Sequence, residues 1–468
     1  MNIINHSYLF RFFAAIAAFF TRQWESSGLV SRFLGGARVN GGVFGALWER
    51  VTRLLRRIFK ALRLDKLLVG SMFLKPHFWC ALAMALAPII PTMLAAGLAI
   101  AAFFSIFLTH GATEQTPSRS PMNRYIILYA LLYTAAVFLS VTPSGSLKHG
   151  ALHVLFVLFA VGFGSAIRTE KQLLWTMRFF VISGALVSAY GIYQYLFGAI
   201  GAAAWVDSEM FSSIGLRVYS TLENPNVLAE YLLLTIPFSM AFVVFEKNWL
   251  ARIFFVGTTG VMLLCMVLTY ARGAWLGLIF AVAVFLIMID RRLIFLGIIG
   301  LVALYFVLPD SILDRFSSIG NLTDGSTSYR VSIWMATIAM LRDFWLVGVG
   351  PGVAAYNRIY PIYGYNAVNA PHSHNLFLQI ICDAGVFALV IFVMLLFSYV
   401  RELATAIKRN TNRELNIFRI AALSAMAGFV LQGMTDYSFY NYRVTLTFWC
   451  VIGLAIALTR IGKEQKND

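Results

Sequence analysis

The chain has 468 residues, of which 60% are hydrophobic and only 12% are charged, and its mean hydropathy is +0.76. A soluble globular protein of this size does not tolerate such a composition, so the sequence predicts an all-α, polytopic membrane protein. The formal net charge of +16 fits either nucleic acid or a membrane surface as a partner, and the positions of the charges decide between the two.

The chain begins with a basic region, residues 1–76, that is too weakly apolar to span a membrane. Its apolar stretch at 8–20 is short, and no small-residue cleavage site follows it, so a cleaved signal peptide is not predicted. The segment "RVTRLLRRIFKALRLDK", residues 50–66, has aliphatic side chains on one helical face and arginines on the other. This pattern predicts a cytoplasmic amphipathic helix that lies on an anionic inner leaflet as a structural anchor.

Twelve apolar segments are predicted to cross a hydrocarbon layer of roughly 30 Å. They are residues 78–90, 92–108, 125–141, 150–166, 174–197, 227–245, 251–269, 274–289, 293–308, 376–397, 417–435 and 443–459. The first two are separated only by Pro88 and Pro91, so a single bent helix is an alternative. The expected organisation is therefore nine transmembrane helices at 77–308, a long loop at 309–375, three more at 376–459, and a tail at 460–468.

The basic residues favour twelve spans with both termini on one face of the membrane. When the N-terminal region and the long loop are left out, that face carries 17 lysines and arginines between residues 119 and 466. The opposite face carries four, which are Lys148, Arg217, Arg272 and Arg443. By the positive-inside rule both termini are cytoplasmic, and merging the first two spans would instead put the basic N-terminal region outside. The net charge thus reflects topology, and no nucleic-acid partner is predicted.

The long loop is predicted to lie on the outer face and to contain amphipathic helices. Its segment "YRVSIWMATIAMLRD", residues 329–343, has apolar side chains at helical spacing, which is typical of a helix at the membrane interface. The following "GVGPGV", residues 348–353, has the glycines of a nucleotide-binding loop. Its proline and second valine break the GxGxxG pattern and no strand precedes it, so we expect a turn.

Four basic side chains lie near span ends on the predicted outer face, namely Arg217, Arg272, Arg330 and His374. Any one of the arginines can simply extend its charge to the interface. Because membrane proteins deplete positive charge from this face, three arginines and a histidine together indicate a shared anionic ligand. Guanidinium groups are always charged and offer forked donors, which suit phosphate or pyrophosphate.

Two of the seven histidines, His372 and His374, occur in "NAPHSHNLFLQI" at the mouth of the tenth predicted span. Imidazole, with an ordinary pKa of about 6.5, can take a proton from a hydroxyl group near neutral pH. An HxH pattern with no nearby carboxylate or cysteine in register is weak for zinc, and Asp383 falls inside an apolar span, so no metal site is predicted. Asn375 is a candidate helix cap, and His372 follows a proline and shapes the turn.

Four segments in order resemble the successive signatures of the O-antigen ligase and O-antigen polymerase superfamily. They are "YSTLENPNVLAEYL", "YARGAWLGL", "YRVSIWMATIAMLRDFWLVGVGPG" and "HSHNLFLQIICDAGVFALVIF", which fall within residues 219–392. The resemblance covers a little over a third of the chain, and the N-terminal 76 residues have no counterpart in it. It implies a GT-C-like glycosyltransferase of the bacterial cytoplasmic (inner) membrane that uses no metal and no cofactor. The implied donor is an undecaprenyl-pyrophosphate-linked glycan at the outer face.

The resemblance also implies roles for individual residues. Arg272 in the "RGAWL" motif and Arg330 ahead of the loop tryptophan are implied to hold the pyrophosphate. His374 is implied to take the proton from the acceptor sugar hydroxyl, which then inverts the anomeric carbon as undecaprenyl pyrophosphate leaves. From its own position and charge we add Arg217 to the pyrophosphate site. The expected supporting residues are His372 and Asn375.

The acceptor stays open, because O-antigen ligases, surface-polysaccharide polymerases and related enzymes that glycosylate proteins share these motifs. A glycan or lipid-linked acceptor is expected, and a chain-length regulator at the cytoplasmic helix is a further candidate partner. The alternative from another functional class is a secondary transporter or flippase of lipid-linked oligosaccharide, since twelve spans with both termini inside also suit a transporter. Transporters usually place charges at mid-membrane and repeat their halves, and the sequence shows neither pattern.

Overall fold

The computed structural model describes most of the chain. The ranges are 42–61, 71–112, 120–198, 216–320, 325–365, 368–409 and 412–464, with a few single residues between 15 and 28. Within them every regular element is a helix, which confirms the predicted all-α class. The apolar stretch at 8–20 lies almost entirely outside the described residues. All four cysteines lie in the described part of the chain, where they are buried and form no disulfide.

Sixteen α-helices make up the described chain. In order, α1 to α16 are Gly42–Ala61, Pro76–Leu86, Thr92–Ala112, Pro121–Phe138, Pro143–Ala166, Glu170–Phe197, Pro225–Phe245, Trp249–Leu268, Arg272–Ile289, Leu293–Val307, Asp310–Ser317, Gly325–Phe344, Val353–Tyr363, Leu376–Arg409, Arg413–Gly433 and Tyr442–Glu464. Several begin with proline in the first turn, where a missing N–H costs nothing.

Nine of the described helices are long and apolar enough to cross a membrane: α3, α5 to α9 and α14 to α16. The other three predicted spans coincide with helices of a different kind. Helix α2 has only 11 residues, and α4 has 18 but carries Asn123 and Arg124 in its first turns. Helix α10 ends before Pro309, and the chain bends by 119° into α11, so this pair counts as a tenth span only if taken together. The structure thus supports a polytopic protein in which nine or ten of the described spans have the length and hydropathy to cross a membrane, and the expected total of twelve stays a prediction.

The first part of the predicted amphipathic segment is helical as α1, which begins at Gly42, eight residues before the predicted start. Residues 62–66 of that segment lie outside the described residues. Helix α1 packs against α3 and buries Thr52 and Phe59. Leu54 and Ile58 stay exposed beside basic side chains, which suits an interfacial helix. Its contact with an anionic leaflet stays a prediction.

Close packing of α9 against α15 brings two distant chain segments together. A Cβ on Gly277 of α9 would lie 2.7 Å from the carbonyl oxygen of Gly428 on α15, and the reverse distance is also 2.7 Å. Glycines at a helix crossing let the two backbones approach closely. Consequently Arg272, at the start of α9, lies near the residues that follow the end of α15.

The long loop docks onto a kink in α14, and this contact fixes α12 and α13. The predicted helix at residues 329–343 is confirmed as part of α12, while its amphipathic character and its place at a membrane interface stay predictions. The predicted turn connects α12 to α13. Gly385 in α14 has φ +78°, and a Cβ there would lie only 2.0 Å from the carbonyl oxygen of Leu346, so glycine is required. The N–H of Val349 in the turn donates to the carbonyl of Cys382 at 2.7 Å, which ties the loop to the kink.

Candidate active site

A cavity of about 260 Å³ lies at the end of the bundle where the long loop docks. Its wall comes from the segment before α7, the start of α9, the end of α11, α12 and the end of α15. Four arginines line it: Arg217, Arg272, Arg315 and Arg330. The structure therefore brings together the three arginines that the sequence singled out, and it adds Arg315.

Arg217 is held at the cavity wall by two hydrogen bonds. Its Nε donates to the carbonyl oxygen of Thr269 at 2.9 Å, and its Nη2 donates to Oδ1 of Asn226 at 2.9 Å. Burial, and then the positive charges of the other three arginines, lower the pKa of Arg217 to about 9. The guanidinium therefore remains charged at neutral pH, although its neighbours oppose that charge.

Arg272 and Arg330 are fixed by serines of the long loop. Nη1 of Arg272 donates to the carbonyl oxygen of Ser318 at 3.1 Å and to its Oγ at 2.8 Å. Nη1 of Arg330 donates to Oγ of Ser326, one turn earlier on α12, at 2.9 Å. These bonds hold both guanidinium groups in place before any ligand arrives.

The cavity is strongly electropositive. Its described lining contains four arginines and no aspartate or glutamate. Like charges held this close repel one another, and an anion placed among them relieves that repulsion. Planar, forked guanidinium donors match the oxygens of a phosphate or a pyrophosphate.

His374 lies beside this cavity and pairs with Asp436. The Nδ1 atom of His374 is 3.0 Å from Oδ1 of Asp436. A proton on Nδ1 that is donated to the carboxylate leaves Nε2 as the acceptor nitrogen of the ring. Nε2 has no hydrogen-bond partner within the described part of the chain. His374 also has φ +48°, a left-handed conformation that is uncommon for a non-glycine residue and that concentrates at functional sites.

Asp436 connects the histidine to the arginine cavity. Its Oδ1 also accepts the backbone N–H of Tyr437 at 2.9 Å. Its Oδ2 accepts Nδ2 of Asn226 at 3.0 Å and lies 3.5 Å from Nη2 of Arg330. Burial by itself would raise the pKa of Asp436, but the hydrogen bond from His374 and the charge of Arg330 outweigh it. The pKa of Asp436 is therefore held well below its usual range, and the carboxylate stays ionised.

His372 and Asn375 surround His374 along the chain. Nδ1 of His372 accepts the backbone N–H of His374 at 3.2 Å. Burial lowers the pKa of His372 to about 3, so His372 is neutral at physiological pH. Oδ1 of Asn375 caps α14 by accepting two backbone N–H groups at 3.0 Å each, and its Nδ2 donates to the carbonyl of Met434 at 2.7 Å. His372 therefore holds the backbone of His374, and Asn375 holds the start of α14 that directly follows it.

Sequence reasoning missed Asp436 and Arg315. Asp436 is 62 residues from His374, in the short connection after α15, and its only local signal is a lone carboxylate at the end of a span. Arg315 lies on the eight-residue helix α11 of the long loop, whose charges we left out of the topology argument. Neither residue belongs to a motif that local spacing alone would have marked.

Asp436 also supplies the carboxylate that the HxH pattern lacked in the sequence. One donor atom from each of His372, His374 and Asp436 lies within 4.8 Å of the others, a grouping that can hold a metal ion. In this arrangement, however, Nδ1 of both histidines is already engaged in a hydrogen bond. The adjacent arginines also oppose a divalent cation, so the group fits a hydrogen-bonded pair better than a metal site.

These features describe a multi-pass, all-α membrane protein with a four-arginine cavity beside a histidine–aspartate pair. Residues 257–393 match the family model described as O-antigen ligase, and this match supports the resemblance to the O-antigen ligase and polymerase superfamily that the motifs indicated. A function of O-antigen ligase or polymerase type follows in general terms. No curated protein matches the chain. The matched segment includes Arg272, Arg315, Arg330 and His374, whereas Arg217 and Asp436 lie outside it.

Proposed function

We propose that this protein is a membrane glycosyltransferase that moves an undecaprenyl-pyrophosphate-linked glycan onto the hydroxyl of an acceptor sugar. The observation that carries this proposal is the four-arginine cavity beside the His374–Asp436 pair. Glycosyl transfer from a pyrophosphate donor needs two things: stabilisation of an anionic leaving group and a base for the nucleophile. The cavity and the pair supply one each, and the match of residues 257–393 to the O-antigen ligase family model supports the general reaction class.

The cavity would hold the pyrophosphate of the donor. Negative charge develops on the leaving oxygen as the glycosidic bond breaks, and fixed cationic donors stabilise that charge without reorganising. Arg217, Arg272 and Arg330 are the predicted ligands, and Arg315 joins them by its position. At about 260 Å³ the cavity is smaller than the ~300–1,000 Å³ pockets that bury drug-sized molecules. In this proposal the cavity holds only the pyrophosphate, while the larger glycan and polyprenyl chain extend beyond it.

His374 would be the catalytic base. In the proposed step Nε2 takes the proton of the acceptor hydroxyl, and the oxygen attacks the anomeric carbon from the face opposite the pyrophosphate. The bond between that carbon and the phosphate oxygen breaks, its electron pair leaves with the pyrophosphate, and the configuration inverts. Asp436 keeps the proton on Nδ1 and stabilises the imidazolium that forms. Asp436 is thus a positioning residue, and His374 is the group that touches the substrate.

The proposed reaction uses no metal ion and no cofactor. A divalent metal in other pyrophosphate sites neutralises the leaving group, and here four guanidinium groups offer that charge. His372 would support the turn that carries His374, since its neutral ring accepts a backbone N–H there.

We also propose that the protein lies in the bacterial inner membrane with both termini cytoplasmic and the cavity on the outer face. The bias of basic residues supports this orientation. A single cysteine in place of exposed Arg358 in α13 should react with an impermeant maleimide in intact cells. A cysteine in place of Lys408, at the end of α14, should react only after the membrane is opened. The reverse pattern would contradict the orientation.

The direct test is transfer by purified protein in proteoliposomes from a lipid-pyrophosphate-linked glycan. We expect His374→Ala and Arg272→Ala to lose at least about a hundredfold in rate, within the range for a general base or an oxyanion donor. Arg358→Ala is the matched control, because this exposed arginine lies away from the cavity, and it should keep wild-type activity.

The same assay separates the competing outcomes. A chelator should leave the wild-type rate unchanged if no metal takes part. Full activity in His374→Ala would remove the proposed base. Failure of the wild-type protein to transfer to any glycan or lipid-linked acceptor would favour a transporter of the same donor instead.

A further inference from the structure

A carboxylate lies deep in the bundle, where apolar side chains would normally be expected. Asp383 is fully buried within the spanning helix α14, nine residues after His374. Ionisable groups inside a membrane span are costly, and those that occur have partners and usually a function. Three side-chain donors converge on Asp383: Nε2 of Gln379 at 2.8 Å, the hydroxyl of Tyr437 at 3.0 Å and the hydroxyl of Tyr133 at 3.2 Å.

One oxygen of Asp383 leads to the segment that carries His374. Oδ1 accepts Nε2 of Gln379, one turn earlier on the same helix. The other side-chain atom of Gln379, Oε1, accepts the backbone N–H of Ser373 at 2.7 Å. Because Ser373 directly precedes His374, the orientation of Gln379 fixes the backbone that presents the histidine.

The other oxygen of Asp383 leads to the segment that carries Asp436. Oδ2 accepts the hydroxyl of Tyr437, whose own backbone N–H donates to Oδ1 of Asp436 at 2.9 Å. Tyr133 on α4 donates to the same Oδ2 and anchors it to a neighbouring helix. Together with the His374–Asp436 contact, these bonds close a ring that runs through His374, Asp436, Tyr437, Asp383, Gln379 and Ser373.

We propose that Asp383 is a positioning residue that sets the relative placement of His374 and Asp436 through Gln379 on one side and Tyr437 on the other. This inference rests on the proposed role of the His374–Asp436 pair. Asp383 touches no reacting atom and acts only through its partners. A carboxylate suits this position because it accepts hydrogen bonds at both oxygens, whereas an asparagine would turn an NH₂ group toward another donor.

A swap of the acid along α14 tests the proposal. In Asp383→Asn the single amide oxygen cannot accept hydrogen bonds from Gln379 and from both tyrosines. We therefore expect the His374–Asp436 pair to shift. In the double variant Asp383→Asn with Gln379→Glu, the new carboxylate accepts from Ser373 and from the asparagine NH₂. The asparagine oxygen then accepts from the two tyrosines, so every donor has an acceptor again.

The kinetic result should separate positioning from donor binding. A displacement of about 1 Å at a reacting group costs on the order of a hundredfold, so we expect kcat of Asp383→Asn to fall by about 10- to 100-fold. The KM for the donor should stay within about twofold, because Asp383 and its three side-chain partners contact none of the four cavity arginines. The double variant should recover kcat to within about threefold of wild type. Asp343→Asn, in the long loop away from the ring, should match wild type.

A second readout does not depend on glycosyl transfer. Diethyl pyrocarbonate modifies the free nitrogen of an imidazole, and peptide mass spectrometry reports the rate at His374 in each variant. We expect Asp383→Asn to change that rate by more than about threefold and the double variant to restore it. If wild-type protein transferred no glycan, the proposed function would fail, and this rate would still decide the role of Asp383.

Three results would overturn the inference. The first is a folded Asp383→Asn with wild-type kcat and wild-type modification rate. The second is a loss of kcat in Asp383→Asn that the double variant does not restore, combined with a lower melting temperature in both variants. That combination would show that Asp383 serves stability alone. The third applies if Asp383→Asn does not fold. Tyr437→Phe then removes a single hydroxyl from the hydrogen-bonded ring, and an unchanged modification rate at His374 in that variant would overturn the inference.

Discussion

Replacement of Asp436 by asparagine tests how much the His374–Asp436 pair contributes to the proposed reaction. Four donor groups face the two carboxylate oxygens: Nδ1 of His374, the N–H of Tyr437, Nδ2 of Asn226 and Nη2 of Arg330. An asparagine has one acceptor oxygen and one NH₂ donor, so its NH₂ group would face hydrogen-bond donors that now contact a carboxylate oxygen. Either His374 loses its hydrogen-bond acceptor, or Asn226 and Arg330 lose theirs.

The size of the loss follows from the bond that is removed. A hydrogen bond to a charged group contributes about 1.5–3 kcal/mol. Since about 1.4 kcal/mol corresponds to a tenfold change in rate, Asp436→Asn should lower kcat by about 10- to 150-fold. The pKa of Asp436 is held well below its usual range, so the wild-type carboxylate is charged at every practical assay pH. Changing the pH between about 5 and 8 should therefore not remove the difference.

The assay is glycan transfer in proteoliposomes at saturating donor, together with a thermal unfolding curve for each variant. Asp343→Asn serves as the matched control, because Asp343 lies on the same loop system but bonds to Tyr363 and not to the site. A stable Asp436→Asn protein whose kcat stays within about twofold of wild type would refute the reasoning, because it would show that His374 does not need its carboxylate partner.

Three further predictions concern the cavity, the kink and the buried histidine. Arg315→Ala should lower kcat/KM for the donor by at least about tenfold, while Arg358→Ala should not, and equal values for both would exclude Arg315 from the site. Gly385→Ala should destabilise the protein by about 2 kcal/mol or more in a detergent unfolding assay, because of its positive φ and a backbone clash. Gly257→Ala, which meets no atom within 4 Å, is the control that should stay stable. His372 has a pKa of about 3, so only the unfolded chain takes its proton below about pH 6.5, and stability should fall by about 1.4 kcal/mol per unit as the pH drops toward 3. His372→Asn keeps the acceptor and should flatten that slope, and an unchanged slope would contradict this cause.

The helical architecture could be predicted because each span is a local property of the chain. An apolar segment of about 20 residues in a membrane has to satisfy its backbone hydrogen bonds within a helix, so apolar runs alone indicated α5 to α9 and α14 to α16. The same reasoning also counted three segments whose helices do not by themselves have the length and hydropathy of a span. Helix α2 is too short, and the chain turns by 119° at Pro309 after α10. A hydropathy pattern contains no information about such a bend.

The individual basic residues of the site were also visible in the sequence. Positive charge is rare on the predicted outer face, so Arg217, Arg272, Arg330 and His374 stood out there before any contact was known. The structure brings the three arginines to one cavity, with His374 beside it. Their roles in binding and catalysis remain predictions.

By itself, then, the sequence determined a membrane-embedded helical protein with a cationic site at one end, because hydropathy and charge bias act residue by residue. Only the tertiary structure decided which groups meet. The partner of His374 is 62 residues away, and it arrives there because α9 and α15 pack through Gly277 and Gly428. Asp383 looked like an isolated acid in an apolar run until Tyr437 and Gln379 were found against it. Hydrogen bonds between distant segments depend on how helices pack, and no local spacing records that packing.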